Sequence, residues 1–120
     1  MYKTIATVTD AGADFTTADW VYLTDDNKQV ISSARITIVW EGITGTKDGD
    51  IYLEITNNLD DVEIIYPKDS TGTTILVATQ TNAADCMAFN ISAPFIAVRM
   101  HYEHNSISAG TIDCKGLLCE

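Results

Sequence analysis

Apolar residues recur at every second position along most of this chain, the spacing of a half-buried strand rather than the three-to-four spacing of a helix. In Arg35-Ile36-Thr37-Ile38-Val39-Trp40 the residues Ile36, Ile38 and Trp40 share one face and Arg35, Thr37 and Val39 the other. Asp50 to Thr56 repeats the pattern, with Ile51, Leu53 and Ile55 inward and Tyr52, Glu54 and Thr56 outward. Pro94 to Tyr102 sets Phe95, Ala97, Arg99 and His101 against Ile96, Val98, Met100 and Tyr102, and the second, apolar set is expected to face the core. A turn over Asn105 to Gly110 then leads into a last strand, Thr111 to Gly116. Val62 to Tyr66, Thr74 to Thr79 and Met87 to Ser92 are shorter β-branched or apolar runs bounded by turn residues. Thr4 to Thr9 and Phe15 to Leu23 add two more strands, although Thr17-Ala18-Asp19 could instead start a short helix.

These eight or nine short strands, with turn signals between them and no ten-residue helical period, predict an all-β fold, an antiparallel β-sandwich or barrel. The glycines fall where turns are expected: Gly42, Gly45 and Gly49 in one loop, Gly72 in another, Gly110 in a third. One core and one domain over residues 1–120 fit this length, with residues 1–14, polar and glycine-containing, as a candidate extended N-terminal arm.

Composition sharpens the function more than the fold. Seventeen acidic against seven basic residues give a net charge of −10, which repels a phosphate backbone and an anionic membrane surface, so neither nucleic acid nor membrane is an expected partner. No apolar run approaches the roughly 20 residues of a membrane span, and the first nine residues lack a signal-peptide core, so synthesis in a cytoplasm is expected. Cys86, Cys114 and Cys119 are odd in number and without repeated spacing, which predicts thiols rather than a disulfide framework or a zinc site. Cys114, in phase with Ile112, should be buried. Cys86 is expected to react with a thiol reagent only on unfolding, and Cys119 to be accessible.

No motif supplies an active site. His101 and His104 lie near one strand end, His101 on the polar face beside Arg99, with no neighbouring serine or cysteine to activate. Gly42 to Gly49 superficially suggests a phosphate loop but joins two strands, whereas such a loop needs a following helix. Asp25-Asp26, Asp48, Asp50 and Asp60-Asp61 lack the spacing of a calcium loop, and Asn90-Ile91-Ser92 is a sequon without a secretory context. No catalytic residue, metal or cofactor is expected. Of the aromatics that could stack on a sugar, Trp20, Tyr22, Trp40, Tyr52, Tyr66 and Tyr102, the in-phase Trp40 reads as core and the out-of-phase Tyr52 as exposed.

The succession Ile36-Thr37-Ile38-Val39-Trp40-Glu41-Gly42, Asp48-Gly49-Asp50-Ile51-Tyr52-Leu53-Glu54-Ile55-Thr56-Asn57-Asn58, Pro94-Phe95-Ile96-Ala97-Val98-Arg99-Met100-His101-Tyr102 and Ser108-Ala109-Gly110-Thr111-Ile112 resembles small virion proteins of tailed bacteriophages, over about residues 30–118. The chain departs from their pattern at Asn57 to Val62 and after Lys115. The resemblance implies a jelly-roll-like β-sandwich on a virion: a capsid decoration or cement protein that binds the major capsid protein as a homo-oligomer, with a trimer favoured. The alternative is a glycan-binding module of a tail or host-attachment structure.

Overall fold

The structure, a computed structural model, describes residues 2–16, 19–24, 30–46, 49–66 and 85–118. Eight strands form there: β1 (Tyr2–Val8), β2 (Phe15–Thr16), β3 (Ala34–Gly45), β4 (Asp50–Thr56), β5 (Glu63–Ile65), β6 (Asp85–Ile91), β7 (Ala97–Glu103) and β8 (Ile107–Leu118). No helix occurs among the described residues. The strands build two antiparallel four-stranded sheets, ordered β1-β8-β3-β6 and β2-β7-β4-β5. Pairing is nested: β4 with β5, β3 with β6, β2 with β7 and β1 with β8. The chain therefore runs as one long hairpin that is rolled until β3 also meets β8 and β4 also meets β7, which is the eight-stranded jelly roll. The all-β antiparallel fold read from the alternation is observed, and of its two forms, sandwich and barrel, it is the sandwich.

The core lies between the sheets and is made by the period-two faces. From the first sheet come Ile36, Ile38 and Trp40 of β3, Ile112 and Cys114 of β8, and Ile5 and Val8 of β1; from the second come Ile51, Leu53 and Ile55 of β4 and Val98, Met100 and Tyr102 of β7. Each aliphatic side chain so buried contributes about 1.5–3 kcal/mol. Tyr102 keeps its hydroxyl satisfied by donating to the Ala11 carbonyl at 2.6 Å, which fastens the β1–β2 loop over the sandwich end. The segment considered as an arm thus contains β1, laid along β8 from Tyr2 to Val8.

Several boundaries differ from the sequence pattern, each for a local reason. β3 does not end at Gly42; it runs through Gly45, with the register slipping opposite Ala109 to Thr111. Gly42 and Gly45 there take positive φ, 64° and 86°, the conformation a strand bulge asks of glycine. Gly110 likewise sits inside β8 at φ 133°, and the turn before it is confined to residues 104–106. Among the described residues the expected Phe15 to Leu23 strand reduces to Phe15–Thr16 and an isolated bridge from Val21 to Val98, and Thr17 and Ala18, where a helix could start, lie outside them. Phe95 and Ala97, on the polar side of the alternation, are both buried, because the chain bends at Ile96 and the alternation changes phase there. Cys86 is exposed rather than buried, since β6 pairs it with the outward Val39. Thr74 to Thr79, Gly72, Asp25-Asp26, Asp48 and Cys119 lie outside the described residues.

A candidate interaction face on the second sheet

The two outer faces of the sandwich are unlike. On the first sheet the outward positions are Thr4 and Thr7 of β1, Thr111, Asp113 and Lys115 of β8, Arg35, Thr37 and Val39 of β3, and Ala88 and Asn90 of β6. These are mostly small or charged, and Tyr2, Val39 and Leu117 are the larger apolar side chains on this face. Asn90, the sequon residue, is exposed and accepts from Arg35 Nη1 at 3.2 Å.

The second sheet instead carries two rows of interlocked side chains across its full width. In one row Glu54 has Ile64 of β5 and Arg99 of β7 as its register partners, and Trp20 lies beyond Arg99. In the other, Tyr52 is partnered by His101, which is partnered by Thr16 of β2, while Tyr66 follows β5 on the far side of Tyr52.

The rows are tied by charge and by stacking. Glu54 accepts from Arg99 Nη2 at 3.2 Å through Oε2, and its Oε1 meets His101 Nε2. The Arg99 guanidinium lies 4.3 Å from the centroid of the Trp20 ring, a cation–π geometry. His101 Nδ1 is 3.0 Å from Thr16 Oγ1, so the neutral Nε2–H tautomer satisfies both ring nitrogens. Tyr52 stacks on the His101 ring at 4.8 Å and 10°, and Tyr66 packs on its other side at 5.7 Å and 48°. Burial, then the charges of Glu54 and Glu103, raise the Tyr52 phenol above its usual 10.0.

Glu54 is only 8 % exposed and Thr56 only 2 %, although both occupy outward positions and were expected to be solvated. Their neighbours explain it: Ile64 and Arg99 flank Glu54, and Thr56 is enclosed by its own loop. Thr56 Oγ1 donates to the Asp61 carbonyl at 2.7 Å and accepts from Leu59 N–H at 2.9 Å. Arg99 Nε is buried and, among the described residues, has no hydrogen-bond partner.

Thr16, His101 and Glu54 stand in the hydroxyl–imidazole–carboxylate order of a nucleophile relay. Two features set that arrangement apart from a relay enclosed in a cleft. Glu54 is shared with Arg99, which neutralises the charge that would support an imidazolium. The relay also lies on an outer sheet face, and a hollow of about 170 Å³ lies away from it, lined by residues that include Ile55, Asn57, Asp61, Val62 and Pro94. His104 pairs with Asp14 at 2.6 Å and adds a backbone N–H at 3.0 Å; that backbone bond, then the side-chain bond, hold the Asp14 carboxyl below its usual 3.8. Asp60 and Asp61 are exposed in a turn where both backbone N–H groups donate to Asn58 Oδ1 at 2.9 and 2.8 Å, and Asp50 accepts from Asn105 at 3.2 Å. No group of three metal-ligating side chains occurs among the described residues.

Of the residues singled out from sequence, Trp40 and Tyr102 are core, Tyr52 and His101 come together on the outer face, and His104 is engaged at its margin. Sequence reasoning missed the central role of Glu54 and the placing of Trp20 and Tyr66 beside it. One signal was present: Tyr52-x-Glu54 and Arg99-x-His101 are complementary pairs at strand spacing. No protein-family model matches the chain, and no curated protein matches it.

Proposed function

We propose that this protein is a non-enzymatic virion structural protein of a tailed phage, a decoration or cement protein that binds the outer capsid and strengthens contacts between major capsid subunits. The observation that carries the reading is the second-sheet face. Its polar groups are spent on one another across a flat surface rather than gathered in a cleft, which suits a contact surface better than a reaction site. The jelly-roll topology and the likeness to phage virion proteins support the virion setting. As a symmetric oligomer, with a trimer at a local three-fold the favoured form, it spreads contacts over several subunits, and each added contact lengthens residence through effective concentration.

The same geometry favours this reading over glycan binding. A sugar stacks on a ring face, but Tyr52 has His101 and Tyr66 on its two sides and the Trp20 ring is covered by Arg99. Titration with host polysaccharide is therefore expected to show no saturable binding.

Particles assembled from the same genome with this gene deleted test the proposal. They are expected to release their DNA to an intercalating dye at a lower temperature than complete particles, and to recover on addition of the purified protein. Identical release temperatures with and without the protein would contradict a cementing role.

A further inference from the structure

Four of the seven large apolar side chains left in solvent among the described residues lie around one edge strand, while Tyr2, Val30 and Val39 lie elsewhere. Of the exposed ones among the described residues, Leu59, Val62, Ile64 and Tyr66 belong to β5 and its flanks. Ile64 and Tyr66, at 50 % and 47 % exposure, continue the two rows described above. The face therefore combines half-exposed aliphatic and aromatic groups with Trp20, Arg99, Tyr52 and His101, residue types that dominate the buried centres of protein interfaces.

Among the described residues its margin is acidic. Asp50 and Glu103, paired in register, continue the outward positions beyond Tyr52 and His101 at one end. Asp60 and Asp61 stand in the loop at the other end, Glu63 adjoins Ile64, and Asp19 adjoins Trp20. Basic residues are segregated away from it: among the described residues Lys3, Arg35 and Lys115 all lie on the first sheet. Arg99 is the only lysine or arginine described on the second, and Glu54 compensates it. A second copy meeting this face with its own would bring the same acidic margin and be repelled there, so the charge pattern selects a different partner for this face and leaves other surfaces for self-association.

We propose that the outer face of the second sheet is the surface that docks on the capsid, and that it takes a protein patch with an apolar centre and a lysine- and arginine-bearing margin. This rests on the capsid reading above. The rows fix the side chains before contact, which lowers the ordering cost of binding, while the acidic margin steers encounter with a basic surface.

Binding to purified particles of the same phage assembled without this gene tests both statements separately. The wild-type protein is expected to bind, and more weakly as salt rises from about 50 mM to about 500 mM. Ile64→Arg and Tyr66→Ser should each bind at least about tenfold more weakly, since they alter interface-centre groups. Val39→Arg, a matched change on the outer face of the first sheet, should stay within about twofold. Ile64 and Val39 are solvent-exposed, and Tyr66→Ser adds no charge, so a failure of one variant to fold leaves the other as the test; thermal melting checks each. Wild-type binding with undiminished Ile64→Arg and Tyr66→Ser would overturn the docking face and leave the capsid reading standing. No binding by the wild-type protein would overturn the capsid reading, and the docking partner with it.

Discussion

Glu54 is nearly buried on the sheet face and is held by the permanent charge of Arg99 and by a hydrogen bond from His101 Nε2. Removing its charge leaves Arg99 partly buried and uncompensated, so Glu54→Gln is expected to cost about 1–3 kcal/mol in urea denaturation. The same change at the exposed Glu41 should cost less than about 0.5 kcal/mol. Equal effects at the two positions would mean that the rows are ordinary surface contacts. Cys114 presents a second residue-scale case. Burial pushes its thiol up to about 12 from the usual 9.0, so between those limits the unfolded chain has lost this proton and the folded protein has kept it. Stability then falls as pH rises through that window, by up to about 1.4 kcal/mol per pH unit from this group. Cys114→Ala removes the contribution. The gap in stability between wild type and variant should shift in the variant's favour from pH 8 to pH 10.5 by an amount on the order of 1–2 kcal/mol; a gap independent of pH would show that the thiol is not protected.

At the scale of elements, β3, β4, β7 and β8 were legible because their inward positions face a core from one side and alternate cleanly. What stayed illegible was register. Whether Glu54 meets Arg99 or solvent depends on a pairing 45 residues away, and a slip by one residue would have turned every such side chain inward. The outer-face positions of Tyr52 and His101 could be read from their strands, but not that they stack, nor that Trp20 and Tyr66 close the rows. The bulge in β3 and β8 was hidden for a related reason: Gly42, Gly45 and Gly110 look like turn residues until their strands are aligned. Gly110 is the sharpest test of that element. A Cβ at this position would lie 2.6 Å from Ile43 Cδ1 and 3.1 Å from the Glu41 carbonyl, at a φ that side chains rarely adopt. Gly110→Ala should therefore lower stability by about 1–3 kcal/mol, read as an earlier thermal transition. A neutral effect would place Gly110 in an open turn.

For the whole molecule, the nested pairing gives two outer faces, and the sequence makes them chemically distinct. Among the described residues, one carries mostly small and charged side chains, Arg35 and Lys115 included, with Tyr2 and Val39 among them; the other carries the Tyr52–His101 and Glu54–Arg99 rows with acidic groups at its margin. A net charge of −10 favours a basic partner. That asymmetry is the physical basis for reading the protein as one that contributes contacts to a larger particle. A cryo-electron microscopy map of purified particles tests this most directly. The account predicts jelly-roll density on the outer capsid at repeated symmetry-related points between major capsid subunits, with the β2-β7-β4-β5 sheet toward the shell. Density confined to the tail, or none on the particle, would contradict it.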